Sequence, residues 1–135
     1  MPVAITDANF QTACDAWVAD PIAAESTYGH ISGWDTSSVT DMRYAFQDAT
    51  TFDEDISAWN VDNVTNMSGM FFNAHAFNQD LSGWNTSNVT RIPMMFREAR
   101  AFNADVTGWD VSKVFDFHTV FYHAYAFNYD VSVWD

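Results

Sequence analysis

Residues 59–84 read WNVDNVTNMSGMFFNAHAFNQDLSGW, a stretch that opens and closes on tryptophan. The 25-residue step from Trp59 to Trp84 recurs along the chain, with tryptophan also at Trp34, Trp109 and Trp134. Other positions keep the same phase: Val39, Val64, Val89 and Val114; Phe46, Phe71, Phe96 and Phe121; Ala49, Ala74, Ala99 and Ala124; Phe52, Phe77, Phe102 and Phe127. Four full units follow, 35–59, 60–84, 85–109 and 110–134, after a partial one at Ile31-Ser32-Gly33-Trp34. A constant period without insertions predicts coils that stack on one another, each touching only its neighbours.

Within a unit, the apolar residues Ile56, Trp59, Val61 and Val64 have the spacing of a leucine-rich-repeat segment. The alternation over 58–62 predicts a short strand, with Trp59 and Val61 inward and Ala58, Asn60 and Asp62 outward. Met67, Met70, Phe71 and Ala74 fall at i, i+3, i+4 and i+7, one face of a short helix. Thr65 is its expected N-cap, as are Thr40 and Thr90 in their units, and Pro93 falls in the first helical turn, where a missing N–H is tolerated. The expected fold is therefore an α/β repeat: a right-handed, leucine-rich-repeat-like solenoid, each 25-residue coil a short strand plus a short helix. An all-β solenoid is the competing reading. Five tryptophans and eight phenylalanines are expected to form ladders through the core, each burial contributing about 2–3 kcal/mol.

Residues 1–29 break the period and are expected to form an N-terminal helical cap over the repeats at 30–135. Asp7 is the expected N-cap of a helix running to about Ala19. Phe10, Ala13, Cys14, Trp17 and Val18 form its apolar stripe, and Pro21 stops it. The only cysteine, Cys14, lies on that stripe and reads as a buried, inert thiol.

Composition narrows the function. The 135 residues carry five basic and eighteen acidic side chains, a net charge of −13. Nucleic-acid binders need a basic face to displace counterions, so that class is excluded. No apolar run approaches the length of a membrane span. The first residues lack the basic and apolar regions of a signal peptide, so the chain is either cytosolic or exported with its signal already removed.

The unit W-[DN]-[VT]-S-x-V-T-x-M-x-x-M-F-x-x-A-x-x-F-N-x-D-[LI]-S-x-W resembles the 25-residue repeat of BspA-like leucine-rich-repeat surface proteins, including the mycoplasma-lipoprotein type of domain of unknown function. Tyr28-Gly29-His30-Ile31-Ser32-Gly33-Trp34-Asp35 resembles the entry to such arrays. The resemblance implies a secreted or cell-surface location, a role in adhesion or binding, and no catalytic residues.

The residues themselves offer no catalytic motif. The four histidines lack metal-ligand spacing, and no enzyme activity, cofactor or metal is expected. Asp55, Asp80, Asp105 and Asp130 recur at one turn and are expected to accept N–H bonds within it; calcium bridging between coils is the sharper alternative. The outward strand positions Asp35, Asn60, Asp62, Asn85 and Asp110 form a candidate binding face for a protein or glycan. In the last unit, Phe115, Tyr122, Tyr125, Tyr129 and Val133 replace mostly polar or small residues, and with Trp134 they form a candidate self-association surface. The expected function is thus a non-enzymatic surface or secreted binding module, or alternatively a structural protein assembling end to end with its own copies. Four N-x-[ST] sequons begin at Asn63, Asn66, Asn85 and Asn88 and read as by-products of the repeat.

Overall fold

The computed structural model describes residues 2–134. Among these residues there are two helices, α1 (Phe10–Ala19) and α2 (Pro21–Tyr28), one short 3-10 turn (Ile31–Gly33), and no strand. Between units, strand-type pairing among the described residues is limited to isolated parallel bridges, Asp41 to Asn66, Asn66 to Arg91 and Arg91 to Asp116. This overturns the expected strand-plus-helix solenoid of leucine-rich-repeat type. By regular secondary structure the repeat region is mostly loop.

Backbone hydrogen bonding explains the difference. The N–H groups of Met42, Tyr44, Phe46 and Asp48 donate to the carbonyls of Asn66, Ser68, Met70 and Phe72 in the next unit, at 2.8–2.9 Å. The intervening N–H groups of Ala45, Gln47 and Ala49 bond back to Met42, Tyr44 and Phe46, three residues earlier. An α-helix requires bonds four residues back from every N–H, so donors shared this way build a run of β-turns instead. The same scheme joins Met67, Gly69, Phe71 and Asn73 to Arg91, Pro93, Met95 and Arg97, and recurs once more in the following unit. Met67, Met70, Phe71 and Ala74 are all fully buried. The turn run thus sends inward the same residues that a helix would.

The 58–62 segment alternates as the sequence indicates, with Trp59 and Val61 buried and Ala58, Asn60 and Asp62 exposed. It forms no ladder because side chains make the contacts between units there. The indole Nε1 of Trp59, Trp84 and Trp109 donates to the carbonyls of Ile31, Ile56 and Leu81 at 2.8, 3.2 and 3.0 Å. Buried Thr36 and Thr86 donate their hydroxyls to the carbonyls of Asn60 and Asp110. Thr40, Thr65 and Thr90 cap no helix, and Thr65 and Thr90 donate their N–H groups to the carbonyls of Thr40 and Thr65.

Aromatic columns fill the centre. Phe46, Phe71, Phe96 and Phe121 stack at 5.6–5.9 Å from unit to unit. Within a unit, Phe46 stacks on Phe52 and Phe71 on Phe77 at about 4 Å.

α1 packs against the first unit, with Phe10 edge-on to Trp59 at 5.7 Å and Trp17 edge-on to Trp34 at 6.2 Å. Four residues of the expected stripe are buried, but Val18 is 44% exposed at its edge. Asp7 does not cap α1. Its carboxylate accepts from the Thr40 N–H at 2.8 Å and the Thr40 hydroxyl at 2.6 Å. Pro21 both ends α1 and starts α2, where Asp20 accepts from the N–H groups of Ile22 and Ala23.

Candidate functional site

The expected sites separate into turns closed on themselves and one open surface. Asp55, Asp80, Asp105 and Asp130 each accept the N–H two residues ahead, from Ser57, Ser82, Thr107 and Ser132, at 2.9 Å. The Ser82 and Thr107 hydroxyls add bonds at 2.7 and 2.6 Å. Hydrogen bonds from the neighbouring hydroxyl and backbone hold all four carboxyls below their ordinary values. The preceding coil's aspartate works weakly against this at Asp80 and Asp105. These oxygens face their own turns, and among the described residues no three acidic, histidine or cysteine side chains converge to hold a metal ion.

Most of the outward row is closed in the same way. Asp35, Asn60, Asn85 and Asp110 accept from the N–H groups of Ser37, Asp62, Ser87 and Ser112 at 2.9–3.2 Å. The Asp62 side chain is exposed, and its carbonyl accepts from the Asn88 amide at 2.7 Å. Four of the row's five residues thus form Asx turns.

An open cleft of about 690 Å³ lies between α1 and the first unit, lined by Asp7, Gln11 and Asp15 on one side and Asp41, Arg43 and Tyr44 on the other. Sequence reading missed it because it exists only once α1 docks.

The last unit carries the open surface. Phe115 and Tyr125 are 74% and 72% exposed, and Val133, Tyr122 and Tyr129 also face solvent. Trp134 does not belong with them: it is half-buried, stacked on Trp109 at 6.2 Å. Beside Tyr122 and Tyr125 lies a polar cluster that sequence reading also missed. His123 Nδ1 and Glu98 Oε1 lie 2.5 Å apart, and Arg100 pairs with Glu98 at 3.2 Å. The His123 hydrogen bond, then Arg100, hold the Glu98 carboxyl below its ordinary value. The His123 ring stacks on Tyr122 at 3.9 Å and on Tyr125 at 5.3 Å. The Arg97 guanidinium lies over Phe72 at 5.6 Å and over Tyr122 at 4.9 Å. The signal was present in the register, since Phe72, Arg97 and Tyr122 are 25 residues apart in turn, as are Glu98 and His123.

Cys14 is enclosed, and burial pushes its thiol well above its ordinary value, leaving it a poor nucleophile. Among the described residues no helix is long and apolar enough to cross a membrane.

These features define a tandem-repeat protein of 25-residue units with a helical segment packed on the first. The model of one family, Mycoplasma protein of unknown function, DUF285, matches residues 9–134, and the chain belongs to that family. Comparison with curated proteins and with solved structures found no match.

Proposed function

We propose that this protein is a non-enzymatic binding or adhesion module, acting at a cell surface or outside the cell. Its partner docks on the aromatic surface of the last described unit. One observation carries the reading: Phe115, Tyr122, Tyr125, Tyr129 and Val133 all expose large apolar side chains within one unit. Exposed tyrosines set beside an arginine, as Tyr122 is beside Arg97, have the composition of interaction hot spots. The repeat positions that resemble BspA-like surface proteins support the location. The Asx-turn row around Asn60 and Asn85 spends its side chains on local bonds and is the weaker candidate.

A second copy is the alternative partner, through end-to-end assembly. Among the described residues, the N–H groups of Phe117, Thr119, Phe121 and His123 have no backbone acceptor. A row of donors has no complement in its own two-fold copy. The matching carbonyl row lies on the first unit, where Gln11 of α1 already bonds the Ala45 carbonyl at 3.1 Å. These observations disfavour a two-fold copy, and the light-scattering arm below tests head-to-tail contact.

The test is retention of protein-coated beads on panels of immobilised extracellular proteins and glycans. We expect retention on a defined subset, lost when Tyr122, Tyr125 and Tyr129 are together replaced by Ser and kept in Asp62→Asn. Light scattering of the free protein should report a monomer. No retention on any surface, or retention indifferent to the tyrosines, would overturn the proposal.

A further inference from the structure

We infer that Arg97 is the anchor for a partner's carboxylate, presented by an acidic protein segment. The inference rests on the docking surface proposed above and names the chemistry that surface recognises. The chain has four arginines, and three of them are already paired. Arg43, Arg91 and Arg100 each lie 3.1–3.2 Å from a carboxylate, those of Asp41, Asp116 and Glu98. Among the described residues Arg97 has no such partner, although it belongs to a protein with eighteen acidic side chains. Its nearest neighbour in sequence, Glu98, is committed to His123 and Arg100.

Arg97 is nevertheless held in place. It is half-buried, with Phe72 of the preceding unit and Tyr122 of the following unit against its guanidinium. Its Nε is enclosed and bonded to nothing. A guanidinium fixed by rings loses little freedom on binding, and its remaining donors lie at the terminal nitrogens. Two parallel N–H bonds from those nitrogens match the two oxygens of a carboxylate. Residues 91–135 hold four of the five basic residues, Arg91, Arg97, Arg100 and Lys113, against six of the eighteen acids, so this part of the chain is less acidic than the rest. The net negative charge repels an acidic partner at long range. At physiological salt that repulsion is screened beyond about 8 Å, so the local field decides at contact.

The enclosed Nε also supplies the readout. Its N–H is shielded from solvent exchange and gives a distinct side-chain signal in nuclear magnetic resonance. The experiment titrates acetyl-Glu-Glu-Glu-amide into the labelled protein at constant ionic strength, with acetyl-Gln-Gln-Gln-amide as the neutral arm. We expect a saturable shift of the Arg97 signal with the glutamate peptide alone. Binding should be about tenfold weaker in Arg97→Lys, which keeps the charge and loses the paired geometry. An unchanged circular-dichroism melt confirms that this variant folds. If Arg97 shifts no more than Arg43, Arg91 and Arg100, or shifts equally with the glutamine peptide, Arg97 is not the anchor. Tyr122 and Tyr125 signals that move with both peptides while Arg97 stays still would overturn the anchor and leave the docking surface standing. Silence at all three also overturns the anchor, and the bead panel then decides the surface separately.

Discussion

Tyr44, Gly69, Met94 and Thr119 occupy one position in four successive units, and all four have φ between 53° and 58°. Each is the third residue of a β-turn that needs a positive φ. Only Gly69 meets that demand without strain, since a side chain there costs about 1–2 kcal/mol. Gly69 has a second reason to be glycine: a Cβ on it would lie 2.3 Å from Cε1 of the Tyr44 ring. We expect Gly69→Ala to destabilise by about 2 kcal/mol, part backbone and part steric. In a Tyr44→Ala background the steric part should vanish, giving a coupling of about 0.5–1 kcal/mol in a double-mutant cycle read by urea denaturation. Strict additivity would show that the ring does not cover Gly69. Nothing in the sequence marked this pair, because tyrosine and glycine at one repeat position read as free variation. The Asx turns at Asp55 and Asp80 were legible, since an aspartate two residues before a serine names its own donor. Pro93 shows the same logic in reverse. Where other units place Asp41, Asn66 or Asp116 to bond the N–H two residues on, this one has Arg91, and Pro93 has no N–H to bond.

At the scale of elements, the buried positions were legible and the conformation was not. Phe46, Ala49 and Phe52 face inward as their spacing indicates. However, i, i+3, i+4 spacing is shared by a helix and by consecutive turns whose alternate N–H groups leave for the next unit. Sequence periodicity reports which side chains are inside, not where the backbone donors go. α2 was missed because Pro21 reads equally as a stop and as a start, and only Asp20 beside it tips the balance. Asp7 was recognised as a cap but assigned to the wrong element. By accepting from Thr40, it does for the first unit what the carbonyl of Thr40 does for the N–H of Thr65. We expect Asp7→Ala to cost about 1 kcal/mol, the usual loss for a cap. Hydrogen exchange should rise first at the Thr40 amide and in α1. Protection unchanged at Thr40 would show that the Asp7 contact does not hold α1 to the repeats.

For the whole molecule, eighteen acids against five bases set two opposing dependences on pH. Self-repulsion weakens the folded state at neutral pH and fades as carboxylates protonate. The turn carboxylates act the other way. Asp7, Asp35, Asp55, Asp80, Asp105, Asp110 and Asp130 all have folded pKa values below the ordinary 3.8, mainly from hydrogen bonds to adjacent hydroxyl and backbone groups. A carboxyl depressed in the folded state contributes stability that is complete above its unfolded pKa. That stability is lost as pH falls through the folded value, because the unfolded chain takes up the proton first. All of these carboxyl shifts are downward, so stability should change little between pH 7 and about pH 5 and fall below about pH 3.8 as the turns lose their anchors. Salt separates the two causes. Adding salt at pH 7 should raise the melting temperature by screening repulsion, whereas in acid, once the turn carboxylates are protonated, it cannot restore the turn bonds. Melts at pH 7, 4.5 and 3, each at low and high salt, check both arms. A melting temperature that salt at pH 7 does not raise would mean that repulsion is negligible in this fold. One that holds level to pH 2.5 would mean that the Asx turns contribute no net stability.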